Sequence, residues 1–288
     1  MSDSSEQCAN VQDQASSPYP LGRSPVETER LRRQAEELEP QSVALLDRVD
    51  RPLGASAIDL GCGPAGVLAL LAELVGPSGR VVGLDNDPTH VDLAREFARE
   101  RGLTQVEIVQ ADASQTGLPS DSFDLVHART LLINLIDPAE AVAEMARLAR
   151  PGGHVLLQEP DTTVRICYPP HPAWAQMAEL FQTVVERDGA DSSIGRQLPT
   201  LLREAGFVDI GVEARADIYP PGHTRRAILP DLVQSLRPII LEQGLLTQTE
   251  LDALDRAVRT HIDNPHVLVL PGLAFLAWSR KPSTPGDT

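Results

Sequence analysis

The chain reads as an α/β fold built on a mostly parallel sheet, and three observations predict it. From about residue 56, short apolar strands alternate with helical stretches for a hundred residues, the pattern of successive βαβ units. A glycine-rich run, Gly61-Cys62-Gly63-Pro64-Ala65-Gly66, stands directly between one such strand and the helix after it. Asp87-Pro88 and Asp137-Pro138 each place an acceptor side chain ahead of a proline, a pairing that opens helices.

The elements follow in order. Residues 1–17 are rich in Ser, Gln and Asp, lack apolar periodicity and read as a flexible tail. Residues 18–50 form an N-terminal helical cap: Ser24-Pro25-Val26-Glu27 is a capping box, Leu31, Ala35 and Leu38 share one face, and the helix ends near Pro40. The core spans residues 51–160, with strands expected at 57–60, 80–84, 106–109, 123–126 and 154–158. Its helices are expected at 67–75, from 88 to Gly102 and from 138 towards 151, Gly102 suiting the left-handed C-terminal position. Residues 161–216 complete the core with a helical insertion: helices at 172–186 and 197–205, then a strand at 207–212. Residues 217–268 are too many for a hairpin connection and are expected to pack as a helical lid, with Thr247-Gln248-Thr249-Glu250 capping its helix. Residues 269–288 supply the last strand, 273–278, and a tail.

Bulk charge narrows the partners. With 25 basic against 41 acidic residues, a formal charge of -16, the chain repels phosphate backbones, and 3% aromatic residues offer little stacking surface, so no nucleic acid is expected. Cys8, Cys62 and Cys167 fit neither a disulfide framework nor a ligand set, and no His/Cys/Asp cluster has metal-ligand spacing, so no metal is expected. The polar N-terminus lacks a secretory pattern and no apolar run approaches the roughly 18 residues of a membrane span, which points to a cytoplasmic protein. A homo-oligomer is left open.

A glycine run at a strand-to-helix turn has a purely steric explanation, so its surroundings carry the argument. Asp59 stands two residues before Gly61, inside an apolar strand. A buried carboxylate needs donors, and a ligand with an ammonium and no phosphate suits it better than a pyrophosphate does. Asp85 ends the second strand, 24 positions after Gly61, where an acid can accept both hydroxyls of a ribose. Asp112 follows the third strand, within reach of an adenine amino group. Three acids at consecutive strand ends converge on one crevice, because ligands in open α/β sheets bind beyond the carboxyl ends of the strands.

Five blocks occur in order: Ile58-Asp59-Leu60-Gly61-Cys62-Gly63-Pro64-Ala65-Gly66, Gly83-Leu84-Asp85, Gln110-Ala111-Asp112-Ala113, Ser122-Phe123-Asp124-Leu125-Val126 and Leu148-Ala149-Arg150-Pro151-Gly152-Gly153. On these the chain resembles, over about residues 56–160, the class I S-adenosylmethionine-dependent methyltransferase family, in the subgroup with the menaquinone/ubiquinone-type core. The resemblance implies a Rossmann-like seven-stranded sheet, mostly parallel with an antiparallel last strand and helices on both faces. It also implies S-adenosyl-L-methionine as cofactor and a small-molecule substrate. By it Asp59, Gly61 and Gly63 line the methionine end, Asp85 holds the ribose, Asn86 flanks the adenine, and Asp112 with Ala113 reads the adenine edge. His127 and Arg129, after the fourth strand, pass beneath the methionine moiety and face the substrate. The chain departs from relatives where they often carry a histidine in a His-Leu-x-x-Pro-like run, reading instead Asn134-Leu135-Ile136-Asp137-Pro138. Tyr19, in Tyr19-Pro20-Leu21-Gly22-Arg23, resembles a segment that covers the cofactor; its ring either closes over the sulfonium or anchors the chain to the core.

Methyl transfer from a sulfonium is an in-line displacement served by alignment and exclusion of water. His127, at a strand end, is a candidate base, with packing as the alternative. Glu159 and Asp161 follow the fifth strand and either bind an amine, act as base or are solvated acids; Glu159 is the second catalytic candidate. His171, His223, His261 and His266 read as surface or lid residues, and Cys62 as packing inside the turn. Arg225 and Arg226 either meet an acidic substrate or form a solvated lid face. Ile166, Trp174, Met177, Phe181, Leu229 and Leu232 suggest a hydrophobic acceptor or simply a lid core. Two other readings stay open: an NAD(P)-dependent oxidoreductase, against which Asp59 and Asp112 speak, and a cofactor-binding relative repurposed as cyclase or regulator.

Overall fold

The computed structural model describes residues 25–50, 53–187 and 189–283. The expected tail, Tyr19 and Ser24 of the capping box lie outside the described residues.

Nine strands are described: β1 (Ser56–Leu60), β2 (Arg80–Asp85), β3 (Val106–Gln110), β4 (Phe123–Arg129), β5 (Ala149–Asp161), β6 (Ile166–Tyr168), β7 (Val208–Arg215), β8 (Leu268–Leu270) and β9 (Leu273–Arg280). Seven form one sheet in the order β3-β2-β1-β4-β5-β9-β7, while β6 and β8 pair as a separate ribbon. The pairs from β3 across to β5 are parallel, and β9 runs antiparallel to both β5 and β7. The chain therefore runs outward from β1 to β3, then restarts beside β1 with β4. That reversal opens a crevice at the carboxyl ends of β1 and β4, where such sheets bind ligands.

Ten α-helices accompany the strands among the described residues: α1 (Pro25–Glu37), α2 (Glu39–Leu46), α3 (Leu68–Val75), α4 (Pro88–Glu100), α5 (Pro138–Leu148), α6 (Pro172–Arg187), α7 (Leu198–Glu204), α8 (Ile228–Ser235), α9 (Arg237–Glu242) and α10 (Gln248–Ile262). Alternation along the central strands sorts side chains into two cores. Ile58 and Leu60 join Val126, Met145 of α5 and Leu202 of α7 on one face. Ala57, Val81 and Leu156 join Leu45 of α2, Leu71 of α3 and Val91 of α4 on the other. A third core belongs to the helical insertion and the lid: Trp174, Met177 and Phe181 of α6 pack with Leu229 and Val233 of α8 and Leu251 of α10. Trp174, Met177 and Leu229 are thus lid core, whereas Ile166 is exposed.

Several elements differ from the expectations. The first helix stops at Glu37, and Pro40 lies in the first turn of a new helix, α2, where a missing N–H costs nothing. Strand β4 runs on to Arg129. The β6–β8 ribbon has strands of three residues each, too short to display a period. Asp87 and Asp137 do cap α4 and α5, and Thr247 with Glu250 forms the capping box of α10. No described helix is long and apolar enough to cross a membrane.

Candidate active site

Between β1 and α3 the backbone turns on Gly61, Gly63 and Gly66, all at positive φ (68°, 55° and 51°). At Gly66 a Cβ would collide with Asp59 Oδ2 and lie 2.6 Å from the Cys62 carbonyl oxygen; at Gly63 it would meet nothing within 4 Å. Gly66 lets the turn close on Asp59. Gly63 leaves an open wall. Burial pushes the Cys62 thiol well above its usual value, and so it packs beneath the turn as an inert residue.

Asp59 lies under this turn, 2% exposed. Its Oδ2 accepts from Val67 N–H at 3.2 Å, and its Oδ1 lies 2.7 Å from His127 Nδ1. The β1–β4 register sets Asp59 directly beside His127, which explains the pair. His127 is fully buried, its Nε2 has no partner among the described residues, and it lines neither cavity described below. The structure therefore turns the imidazole toward Asp59, outside both of these cavities.

Asp85, at the tip of β2, accepts from Gly63 N–H (2.8 Å) through Oδ2 and from Asp87 N–H (2.9 Å) through Oδ1. His90 Nδ1 stands 3.5 Å from the same carboxylate. Burial disfavours the charged His90 ring, but the hydrogen bond to Asp85 and the charges of Asp85 and Asp87 outweigh it and raise its pKa. Asp112 accepts from the backbone N–H and the hydroxyl of Ser114 through one oxygen (2.8 and 2.7 Å). Arg129, at the end of β4, donates to the Gly66 carbonyl (3.1 Å) and to Ser42 Oγ of α2 (3.0 Å); burial lowers its pKa to about 10.

These residues border a cavity of about 390 Å³. Asp59, Asp85, Asn86, Asp112 and Ala113 line it together with Gly61 and Gly63 of the turn and Arg129 of β4. Six carboxylates line it, from Asp59, Asp85, Asp87, Asp112, Asp137 and Glu140, while Arg129 is the one Lys or Arg among the described lining residues. A pyrophosphate would meet repulsion there, whereas a sulfonium with an ammonium meets complementary charge. The residues present fit S-adenosylmethionine.

A second cavity of about 130 Å³ adjoins the first, and Gln34 of α1, Thr130 and Asn134 belong to both. Thr130 holds φ at 54°, an outlying conformation for a β-branched residue, at this junction. Asn134, the position that departs from the relatives' histidine, donates to the Thr130 carbonyl at 2.9 Å. Glu159 lines the second cavity and is 1% exposed. Its carboxylate accepts from the N–H groups of Leu131 (2.8 Å), Leu132 (2.9 Å) and Ile133 (3.3 Å), at the start of a short 3-10 turn. Burial dominates over those three donors and pushes Glu159 up to about 7. Asp161, by contrast, is held by Thr163 and Arg196, which outweigh its burial and lower its pKa; it lines neither cavity.

Sequence reasoning missed the polar floor of this second cavity. Gln158 Nε2 donates to Gln41 Oε1 (3.0 Å), and Ser42 Oγ donates to Gln158 Oε1 (2.7 Å), tying α2 to β5. The available signal was a Gln-Glu pair ending an otherwise apolar strand. Thr130, Arg30 and Arg165 carried no signal. Of the two lid arginines, Arg226 is spent on the carbonyls of Ile262, Val267 and Tyr219, while Arg225 lines the cavity.

A sheet in this strand order, with acids at three neighbouring strand tips around one glycine turn, defines a Rossmann-like S-adenosylmethionine-dependent methyltransferase. A family model described as a methyltransferase domain matches residues 53–206, more than half of the chain, and the chain belongs to that family. A 37.1 kDa protein of transposon TN4556 from Streptomyces fradiae is 38% identical over 164 residues, covering 57% of this chain and 46% of that protein. The demethylmenaquinone methyltransferase of Geobacillus sp. (strain WCH70) is 30% identical over 181 residues, covering 59% of this chain and 77% of the relative. The chain thus spans under half of the first relative and about three quarters of the second. A solved structure of a putative methyltransferase from Bacillus halodurans C-125 shares the fold with a TM-score of 0.58 and 19% identity, over 83% of this chain and 98% of that one.

Proposed function

We propose that the protein transfers a methyl group to a small, largely apolar acceptor held in the second cavity, with Glu159 as the general base. The junction of the two cavities at Gln34, Thr130 and Asn134 carries this reading, since it puts an acceptor space directly against the cofactor space. S-adenosylmethionine, when bound in the larger cavity, supplies an electrophilic methyl group. Asp85 and Asp112 offer carboxylate oxygens for the sugar and the base. Asp59, positioned by His127, holds the turn and presents negative charge for the ammonium. Arg129 fixes the turn to β4 and α2 through Gly66 and Ser42. Phe181, Val185, Leu232 and Leu236 wall the second cavity and keep water out, which sharpens alignment and strengthens electrostatics inside it. Glu159, with its pKa at about 7, is matched to taking a proton from an acceptor hydroxyl at neutral pH. The acidic surplus supports a small molecule over a nucleic acid as acceptor.

Calorimetry on ligand-stripped protein tests the cofactor half: S-adenosylhomocysteine binds and NADH does not. For the base, Glu159→Gln lowers kcat on a screened acceptor by roughly 10²–10⁴-fold with S-adenosylhomocysteine affinity unchanged. Full activity in that variant removes Glu159 from the chemistry.

A further inference from the structure

The smaller cavity carries more positive charge than its aliphatic walls suggest. In a chain of formal charge -16, Arg30, Arg165, Arg215 and Arg225 line it against two carboxylates, Glu159 and Asp217, among the described residues. Both acids are already engaged, Glu159 by three backbone N–H groups and Asp217 by Gln41. Arg30 is paired with both oxygens of Glu27 (2.8 and 2.7 Å), and Arg215 lies 4.0 Å from Glu213.

Arg165 has no such company. Among the described residues it makes no ion pair: its Nε donates to the Pro271 carbonyl at 3.2 Å, its guanidinium stands 4.5 Å from the centre of the Phe181 ring, and neither Nη makes a hydrogen bond. Asp161, the acid whose charge it feels, is committed to Arg196 and Thr163. Burial lowers Arg165 to about 10, as expected of a cation removed from water without a counter-ion. Arg225 adds an independent observation. It lines the same cavity with the Glu37 carboxylate 3.6 Å from Nη1 and the Tyr219 hydroxyl beside it, while its Nε and Nη1, beneath the cavity surface, have no hydrogen-bond partner among the described residues. A guanidinium on a cavity wall whose donors go unmet, as at Arg165, is costly unless a ligand supplies the acceptor.

We infer that the acceptor is an anion: an otherwise apolar small molecule bearing a carboxylate, received by the Arg165 fork with Arg225 as second donor. Phe181 holds the Arg165 plane from behind, and a planar fork matches two carboxylate oxygens better than a point charge does. The aliphatic wall, including Ile133, Leu232 and Leu273, takes the rest of the molecule. This assignment rests on the methyl-transfer reading of the cavity.

Calorimetry on the full chain saturated with S-adenosylhomocysteine, titrated with 2-naphthoate and with neutral 2-naphthamide, tests it. Naphthoate is expected to bind on the order of tenfold tighter than the amide, the worth of a hydrogen bond to a charged group. Arg165→Met abolishes that preference, Arg225→Gln reduces it and Arg165→Lys keeps part of it, while S-adenosylhomocysteine affinity stays within about twofold throughout. Equal binding of the two probes, binding of neither, or an intact preference in Arg165→Met overturns the inference. Should Arg165→Met fail to fold, the wild-type contrast and its reduction in Arg225→Gln decide. Uptake of S-adenosylhomocysteine is read in the same series, so its absence sinks the methyl-transfer reading itself, separately from the carboxylate preference.

Discussion

Around the larger cavity most carboxylates are held at turns and strand tips, Asp87 and Asp112 by residues two positions on and Asp85 by Asp87 and by Gly63, 22 positions back, with Asp59 reaching His127 over 68; around the smaller one, contacts cross more of the chain. Gln158 reaches Gln41 over 117 positions, Arg165 reaches Pro271 over 106, and Gln41 reaches Asp217 over 176. The larger cavity is thus specified mostly by turns and strand tips, and the smaller one by how remote segments meet. The lid, with α6, also has its own apolar core, so the two regions should respond separately to damage.

Gly66→Ala strikes the cofactor half hardest. Its Cβ collides with Asp59 and Cys62, the turn must shift, and S-adenosylhomocysteine affinity should fall on the order of 100-fold, measured by calorimetry. Normal affinity in that variant would mean the turn is not the binding element. Met177→Ala empties a fully buried position in the core of the lid and α6 and should cost about 2–5 kcal/mol in denaturant unfolding. Cofactor affinity should stay within about twofold in the same protein, and a parallel loss would erase the distinction between the two regions.

Glu159 gives a pH test at the seam. Its folded pKa of about 7 lies above the ordinary 4.5, so the folded chain keeps a proton that the unfolded chain has released. Its contribution is complete below about 4.5, declines between about 4.5 and 7, and is gone above, an effect of about 3 kcal/mol. Urea unfolding at pH 5 and pH 8 should register that decline, and Glu159→Gln should flatten it. The smallest effect belongs to Gly63→Ala: with no atom within 4 Å of the new Cβ, the unliganded fold should lose only the roughly 1–2 kcal/mol of a left-handed residue, visible as a modest fall in Tm.

The same contrast explains what the sequence made legible. Asp59 and Asp85 were visible because they interrupt or end an apolar strand, Asp112 because it closely follows one, and the glycines because a strand-to-helix turn tolerates little else. His127 read as a base because one strand alone shows only that a histidine ends it. The register that puts it beside Asp59 needs two strands, 68 positions apart. The break at Leu38 was hidden because Pro40 ends one helix and suits the first turn of the next equally well. Arg165 offered no pattern at all, being a single basic residue in an irregular stretch whose importance comes from Phe181 and Pro271.

The wall shared by Gln34, Thr130 and Asn134 has a practical corollary for inhibitor chemistry. A single compound joining an adenosyl fragment to an acidic apolar fragment through a short tether would span both chambers, and the second fragment would dock at millimolar effective concentration. Such a tethered compound should outbind either half alone by roughly 10²–10⁴-fold without a single additional contact.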